Sequence, residues 1–493
     1  MNHHTERLQG EDLTFWWLDS PQQPTTMAML MLLDRRPDPA RLRAAMERSV
    51  AAVPRLAQRV RDAPLDLTLP HWEDDPTFDL DYHVRQHAVP GGEWAELLRE
   101  LGPAYETPFD RSRPLWEARI YDGLAEDRAA LFFKLHHAVA DGVGGNAIFA
   151  AMTDWDRAGV AAAGPAHDEH HKGAWPSPPG IGARLVEALR DRVELDLARA
   201  GAAVRALADT VQHPSQVGRA LAALRSLGET MLFDSHSPLK QAAGRARHLS
   251  GMALPFAEMR ELKSALGGTM IDVICTIMAR AMGTWHRAHR LRAVTELMTL
   301  VPINLRKPEE WTEKAATGNV ATGIMVRLPI ALRDPLETFR EVRARIEAAK
   351  ADPSANASPI LAQALSVLPR SVITWLTEGT FGNLDFIVTN VPGILVPRYL
   401  AGAEILAAYP FAPVALRSPA SVALYGYRES LFIGITADVA TMPDVERFET
   451  AVERAFRELQ AAAGIVRRAP ARRRARANTP GARGRRRSRG TRA

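Results

Sequence analysis

Cysteine is nearly absent: the 493-residue chain has one, Cys275. A single thiol excludes an intramolecular disulfide and any zinc site built on cysteines. Cys275 lies in an apolar run, 271–278, with helical spacing, which reads as a core thiol rather than a nucleophile. Long apolar runs are missing too. No stretch approaches the ~18–20 uninterrupted apolar residues of a spanning helix, and the polar start Met1-Asn-His-His-Thr-Glu-Arg7 lacks the apolar core of a secretory signal. A cytoplasmic protein that spans no membrane is expected. Basic charge is lacking everywhere but at the C terminus. The chain as a whole carries +5, yet residues 467–493 hold twelve Arg and no acid, so acidic residues outnumber basic ones in the rest. A nucleic-acid binder built on a basic body is excluded, and no nucleic-acid partner is expected.

What is present is the balance of a folded protein, with 46% hydrophobic and 24% charged residues on a length that suits two or three domains. Two mixed α/β halves are legible. In the first, 26–33 is short, apolar and bounded by Pro24 and Asp34, which predicts a buried strand. Asp38 then caps a helix with Pro39 at its first position and Leu42, Met46 and Val50 on one face. Trp94, Leu97, Leu98 and Leu101 predict another helix, stopped by Gly102-Pro103. Strands are predicted at 115–121 and 129–135, joined across a turn at Gly123. Residues from about 161 to 180 have the Pro, Gly, Ala and His content of a linker, and two amphipathic stretches follow within 185–232. The second half predicts strands at 295–303, 320–328, 384–390, 421–427 and 431–437, with helices at 336–349 and 445–463. The division expected is 1–160, 161–235, 236–466 and a disordered Arg-rich tail at 467–493.

One segment carries chemistry: Leu131-Phe-Phe-Lys-Leu-His136-His137-Ala-Val-Ala-Asp141-Gly142-Val-Gly144-Gly145-Asn146. An apolar strand runs into two histidines, an acid and glycines, then a helix. Histidine titrates near neutrality, so it can take a proton from a hydroxyl and return one to a leaving group. Neighbouring side chains on an extended segment point opposite ways, so only one ring can face a given site. Asp141 would order the loop through a ring N–H or an arginine. A metal held by the pair with Asp141 is a lesser alternative, because the rings diverge and no third neutral ligand is evident. Gly142-x-Gly144-x-x-Ala147 stands too far beyond its strand for a dinucleotide fingerprint. Purely structural histidines are the remaining alternative.

This segment, His136-His137-x-x-x-Asp141-Gly142, resembles the hallmark of the bacterial wax ester synthase/diacylglycerol acyltransferase family. The likeness runs to about residue 463. Leu13-Thr-Phe-Trp-Trp-Leu-Asp-Ser-Pro21 is similar to the family's opening, and Trp72, Phe78-Asp79, His83-Val84 and Arg113-Pro-Leu-Trp-Glu117 to its run before the hallmark. Val301-Pro-Ile-Asn-Leu-Arg306, Gly318-Asn319, Thr389-Asn-Val-Pro-Gly393, Ala437-Asp438 and Pro443-Asp444 follow in the family's order. The chain departs from it at Ile271-Asp272, where the family has Asn-Asp, and at Ile394, where it has proline.

The resemblance implies an α/β fold of two chloramphenicol-acetyltransferase-like domains, paired as a pseudo-dimer with a tunnel between them. It implies transfer of a fatty acyl group from acyl-CoA to diacylglycerol, giving triacylglycerol, without a further cofactor or a metal. In that scheme His137 is the general base, and His136 and Asp141 support its geometry. Gly142 keeps the channel open. Thr389 and Asn390 are oxyanion candidates, and Gly393 and Asp272 further channel candidates. The absence of a Gly-x-Ser-x-Gly elbow agrees with direct attack rather than an acyl-enzyme. A long-chain alcohol as acceptor, giving a wax ester, is the alternative, and a weakly active homologue that binds lipid or acyl-CoA is another, kept open by Ile271. Peripheral association with a membrane or lipid droplet is expected. Residues 185–232 are expected to pack on the core, with a bilayer surface as the second choice, while His167-Asp-Glu-His170-His171 reads as a solvated cluster.

Overall fold

The computed structural model describes residues 6–8, 10–21, 23–159, most of 182–201, parts of 225–232, 233–240, 244–291, 293–303, 322–352, parts of 374–379, 382–414 and 418–465. The linker at 161–180 with its histidine cluster, Arg306, Gly318-Asn319, most of the second amphipathic stretch and the Arg-rich tail lie outside the described residues.

The first half supplies β1 (Glu6–Arg7), β2 (Thr26–Leu33), β3 (Gln58–Arg61), β4 (His71–Asp74), β5 (Val84–Ala88), β6 (Trp116–Leu124) and β7 (Arg128–His136). The second supplies β8 (Arg247–Pro255), β9 (Glu296–Ile303), β10 (Thr322–Pro329), β11 (Phe386–Ile394), β12 (Tyr399–Leu400), β13 (Ala403–Phe411), β14 (Ala420–Tyr427) and β15 (Ser430–Asp438). Two six-stranded sheets result, in the orders β12-β13-β2-β7-β6-β5 and β10-β9-β11-β14-β15-β8, beside a small sheet β1-β4-β3. The halves are not independent. The second half sends β12 and β13 across to complete the first sheet, where β13 pairs antiparallel with β2.

Local signals place most elements where the sequence predicts them. Asp38 accepts the Arg41 N–H at 2.9 Å and starts α2 (Pro39–Ala52), which follows α1 (Gly10–Leu18). After α3 (Leu80–His83) comes α4 (Trp94–Glu106), and here the prediction errs. Gly102-Pro103 does not stop this helix. It continues through the proline because Leu101, Ala104 and Tyr105 are buried, and packing outweighs the local cost. Gly102 serves a close approach instead: a Cβ there would lie 2.6 Å from the Arg247 carbonyl oxygen of β8.

The second sheet has two faces with different partners. Val388, Val422, Leu424 and Ile433 join a core under the helices Met270–Ala288, Pro335–Ala351 and Val445–Ala462. Tyr425, Tyr427 and Phe432, of opposite parity, pack into the core of the first half. Cys275 is fully buried in the helix Met270–Ala288, and burial pushes its thiol up, out of nucleophile range.

The helical stretch 188–197 differs from the expectation of simple packing. Ala188 is buried and Asp191 pairs with Arg7 at 2.9 Å, but Leu189, Val193 and Leu197 on the other side are 48%, 59% and 67% exposed. The side that meets the body carries Ala188, Asp191 and the half-buried Leu195, so the apolar stripe at i, i+4, i+8 faces outward. Among the described residues no single helix is long and apolar enough to cross a membrane.

Candidate active site

The ladder between β2 and β7 sets the site. Thr26 stands opposite His136 at its end, and one step further the His137 N–H donates to the Thr25 carbonyl at 2.8 Å. The two rings part as extended geometry requires. His136 turns inward and is 1% exposed, while His137 is half-buried.

His136 is held in one tautomer. Its Nδ1 lies 3.0 Å from the Ala138 N–H and must accept from it, so the ring proton sits on Nε2 and is donated to Thr25 Oγ1 at 2.9 Å. Asp19 Oδ2 stands 3.7 Å from the same Nε2. Burial works to raise the Asp19 carboxyl, but contacts from His136, from Arg111 at 2.9 Å and from the Thr25 N–H at 3.1 Å outweigh it and bring its pKa down to about 2. Asp19 is therefore a carboxylate at any working pH.

His137 is flanked by α1. The ring of Phe15 stacks on it with centroids 3.8 Å apart and planes 24° from parallel. The next residue, Trp16, lies 5.9 Å from the His136 ring, carries the Arg111 guanidinium over its own face at 4.0 Å and donates Nε1–H to Asp62.

Beyond the histidines the chain turns into α5 (Gly142–Met152). Asp141 is buried and its Oδ1 accepts the Gly144 N–H at 2.8 Å, an N-terminal helix cap. Gly142 and Asn146 of α5 meet the second half. Val391 of β11 packs over Gly142, and Asn146 Nδ2 donates to the Pro392 carbonyl at 2.6 Å. The hallmark and the Thr389–Gly393 segment are thus brought together across the seam. At Gly393 the strands crowd so closely that a Cβ would fall 1.7 Å from the Gly426 oxygen. The parallel register of β11 with β14 puts Thr389 on the face of Val391, toward the first half. Asn390 takes the opposite parity, that of Val388, and is exposed.

Asp272 is placed elsewhere. It is fully buried at the start of the helix Met270–Ala288, where its Oδ2 accepts the N–H of Thr269 at 2.7 Å and its hydroxyl at 2.8 Å, a capping box. Ile271 beside it packs on the second core.

Two residues of the site escape sequence reasoning. Lys134, two before His136, is 1% exposed, and its Nζ donates to the carbonyls of Ala104 at 2.9 Å and Thr107 at 2.5 Å. Burial, opposed by the nearby Glu117, pulls its pKa down to about 8. Arg398 comes from the second half and closes the far end of α5. Its guanidinium donates to the carbonyls of Ala150 at 3.0 Å and Thr153 at 2.6 Å and to Thr153 Oγ1 at 3.0 Å. Nothing in an isolated arginine or lysine signals such a role. The segment Arg113–Glu117 does show a signal: Leu115 gives its carbonyl to the His136 N–H at 2.9 Å, and Trp116 stacks on His83.

Residues 8–274 match the family described as wax ester synthase/diacylglycerol acyltransferase catalytic domain, and residues 317–460 match the WS/DGAT C-terminal domain. A Mycobacterium tuberculosis protein named as a diacylglycerol O-acyltransferase is 30% identical over 458 residues, covering 90% of this chain and 89% of its own. A second from that organism, similarly named, is 26% identical over 473 residues, covering 92% and 90%. Among solved structures, the wax ester synthase/diacylglycerol acyltransferase of Marinobacter aquaeolei VT8 superposes with a TM-score of 0.63 at 21% identity, over 93% of this chain and all of that one. The first condensation domain of the calcium-dependent antibiotic synthetase gives 0.58 at 17% identity, over 93% and 96%. These structural likenesses establish the fold: two mixed α/β halves of the chloramphenicol-acetyltransferase-like kind.

Proposed function

This chain belongs to the wax ester synthase/diacylglycerol acyltransferase family, and from that premise we propose that it moves a fatty acyl group from acyl-CoA to the hydroxyl of diacylglycerol, giving triacylglycerol. The observation that carries the proposal is the placement of His137. It is the half-buried ring of the pair, anchored through its backbone to Thr25, in the loop that leads to Gly142, where Gly142 meets Val391.

In the reaction, His137 takes the proton of the acceptor hydroxyl as its oxygen attacks the thioester carbonyl carbon. A tetrahedral intermediate forms, collapses with cleavage of the C–S bond, and the imidazolium returns the proton to the departing CoA thiolate. No resident cofactor enters these steps. His136 and Asp141 hold the loop, the first through Thr25 and the second through the cap of α5. Thr389, on the face of β11 that meets the first half, is the better placed oxyanion donor of the two candidates, and Asn390 the weaker. Gly142 and Gly393 permit the close approach of α5, β11 and β14 that shapes the channel wall. In chain terms the working division is 1–160 and 236–466 as the two halves, with 161–235 between them and 467–493 beyond.

Diacylglycerol and its product dissolve in lipid, so we place the chain in the cytoplasm at a membrane or droplet surface. The exposed stripe of Leu189, Val193 and Leu197 supports this, as does the run of twelve Arg in 467–493, which suits anionic lipid.

Acyl transfer from palmitoyl-CoA to dioleoylglycerol and to hexadecanol, in wild type and His137→Ala, tests the proposal. The expected result is transfer to diacylglycerol that falls by about 10²-fold or more in the variant. Preference for hexadecanol makes the chain a wax ester synthase. Equal rates in both proteins remove His137 as the base, and acyl-CoA binding without transfer points to a lipid-binding homologue.

A further inference from the structure

We propose that Phe15 is a positioning residue for His137: its ring, stacked face to face on the imidazole, fixes the plane of the base and stabilises the imidazolium that forms when the acceptor proton arrives. This rests on the general-base reading of His137.

Phe15 is tied to the loop twice. Its ring lies 3.8 Å from that of His137, and its carbonyl accepts from Thr25 Oγ1 at 3.3 Å, while the Thr25 carbonyl accepts the His137 N–H at 2.8 Å. Ring and backbone therefore hold one register. Trp16, buried and hydrogen-bonded to Asp62 at 2.9 Å, keeps α1 from sliding. The face of an aromatic ring is negative and attracts a cation stacked on it. Leucine has comparable bulk and covers the imidazole from water equally, but offers no such face. Replacing phenylalanine by leucine thus isolates the ring's electrostatic part from its packing part.

The charged and titratable groups on the elements around the loop include Glu11 and Asp12 on α1, Asp19 with its partner Arg111, Arg128, Lys134 (beside Glu117) and His136 on β7, and Asp141 ahead of α5. Neither α5 itself, nor β2, nor β11 carries a charge. None of these groups changes in a Phe15 variant.

The test is Phe15→Leu and Phe15→Trp, with ¹³C-histidine NMR titration of His137, its resonance identified by loss in His137→Ala, and the pH dependence of kcat/KM. Phe15→Leu is expected to lower kcat about ten-fold with KM for palmitoyl-CoA within about two-fold. Its His137 midpoint and the acid limb of the rate profile move down together by about half a pH unit, and Phe15→Trp restores both. Phe15→Met carries the same test if the leucine variant does not fold. An unchanged midpoint and limb in a folded variant overturn the proposal, as does a loss of kcat that tryptophan does not recover. If wild type transfers no acyl group, the general-base reading falls, and the NMR midpoint alone still decides whether Phe15 acts on His137.

Discussion

Val391 of the second half sits directly over the Cα of Gly142, the residue that follows the hallmark acid: a methyl built there would lie 3.0 Å and 3.3 Å from the two Val391 methyls. The loop that presents His137 is thus braced by a side chain nearly 250 residues away in sequence. Gly142→Ala should push β11 and α5 apart by a few tenths of an ångström and cost about 1 kcal/mol. Acyl-transfer rates should fall about ten-fold, and Val391→Ala in the same chain should recover most of the loss. A double variant no better than the single one would show that the crowding is not what matters.

Arg398 anchors the opposite end of α5. Removing its guanidinium leaves the buried Thr153 carbonyl, and the part-buried Ala150 carbonyl beside it, without their charged donor. Arg398→Met should lose about 2–3 kcal/mol of stability in urea unfolding, and Arg398→Lys, which keeps a charge but not the fork, should recover only part of it.

Asp19 gives the fold a specific acid sensitivity. Its pKa in the folded chain is about 2, below the ordinary carboxylate value of 3.8. A depressed carboxylate stabilises the fold above its unfolded pKa, and that contribution is lost as pH falls from about 4 through about 2. Roughly 2 kcal/mol is at stake. Unfolding free energies measured between pH 5 and 2 should therefore fall more steeply in wild type than in Asp19→Asn, with parallel curves refuting the assignment.

The two oxyanion candidates should separate by face. Thr389→Val should lower kcat by about 10²-fold with little change in KM, the pattern of an interaction made only in the transition state. Asn390→Ala should have a much smaller effect, because its parity turns this exposed residue away from the first half. The reverse order would mean that β11 presents its other face to the substrate.

Legibility followed the range of the signal. The strand Thr26–Leu33 and helix Pro39–Ala52 were readable because composition, Asp38 and Pro39 lie within a few residues of what they specify. Gly102-Pro103 misled because its local meaning, a stop, was overridden by burial of Leu101 and Tyr105 and by the approach of Arg247. The strand Ala403–Phe411 gave no hint that it belongs to the first sheet, since pairing with Thr26–Leu33 is a choice of partner and not of conformation.

By itself the sequence determined the two α/β halves, the paired histidines at a strand end and the family to which they belong. Those rest on periodicity, capping and motif order, all carried by neighbouring residues. Only the tertiary structure decided that His136 is locked to Thr25 while His137 lies under Phe15, that Gly142 meets Val391, and that the Thr389–Val391 face of β11 is the one turned to the first half. Each of these joins residues distant in the chain, and such contacts are selected by how whole faces of sheets and helices bury one another, a condition no local stretch of sequence contains.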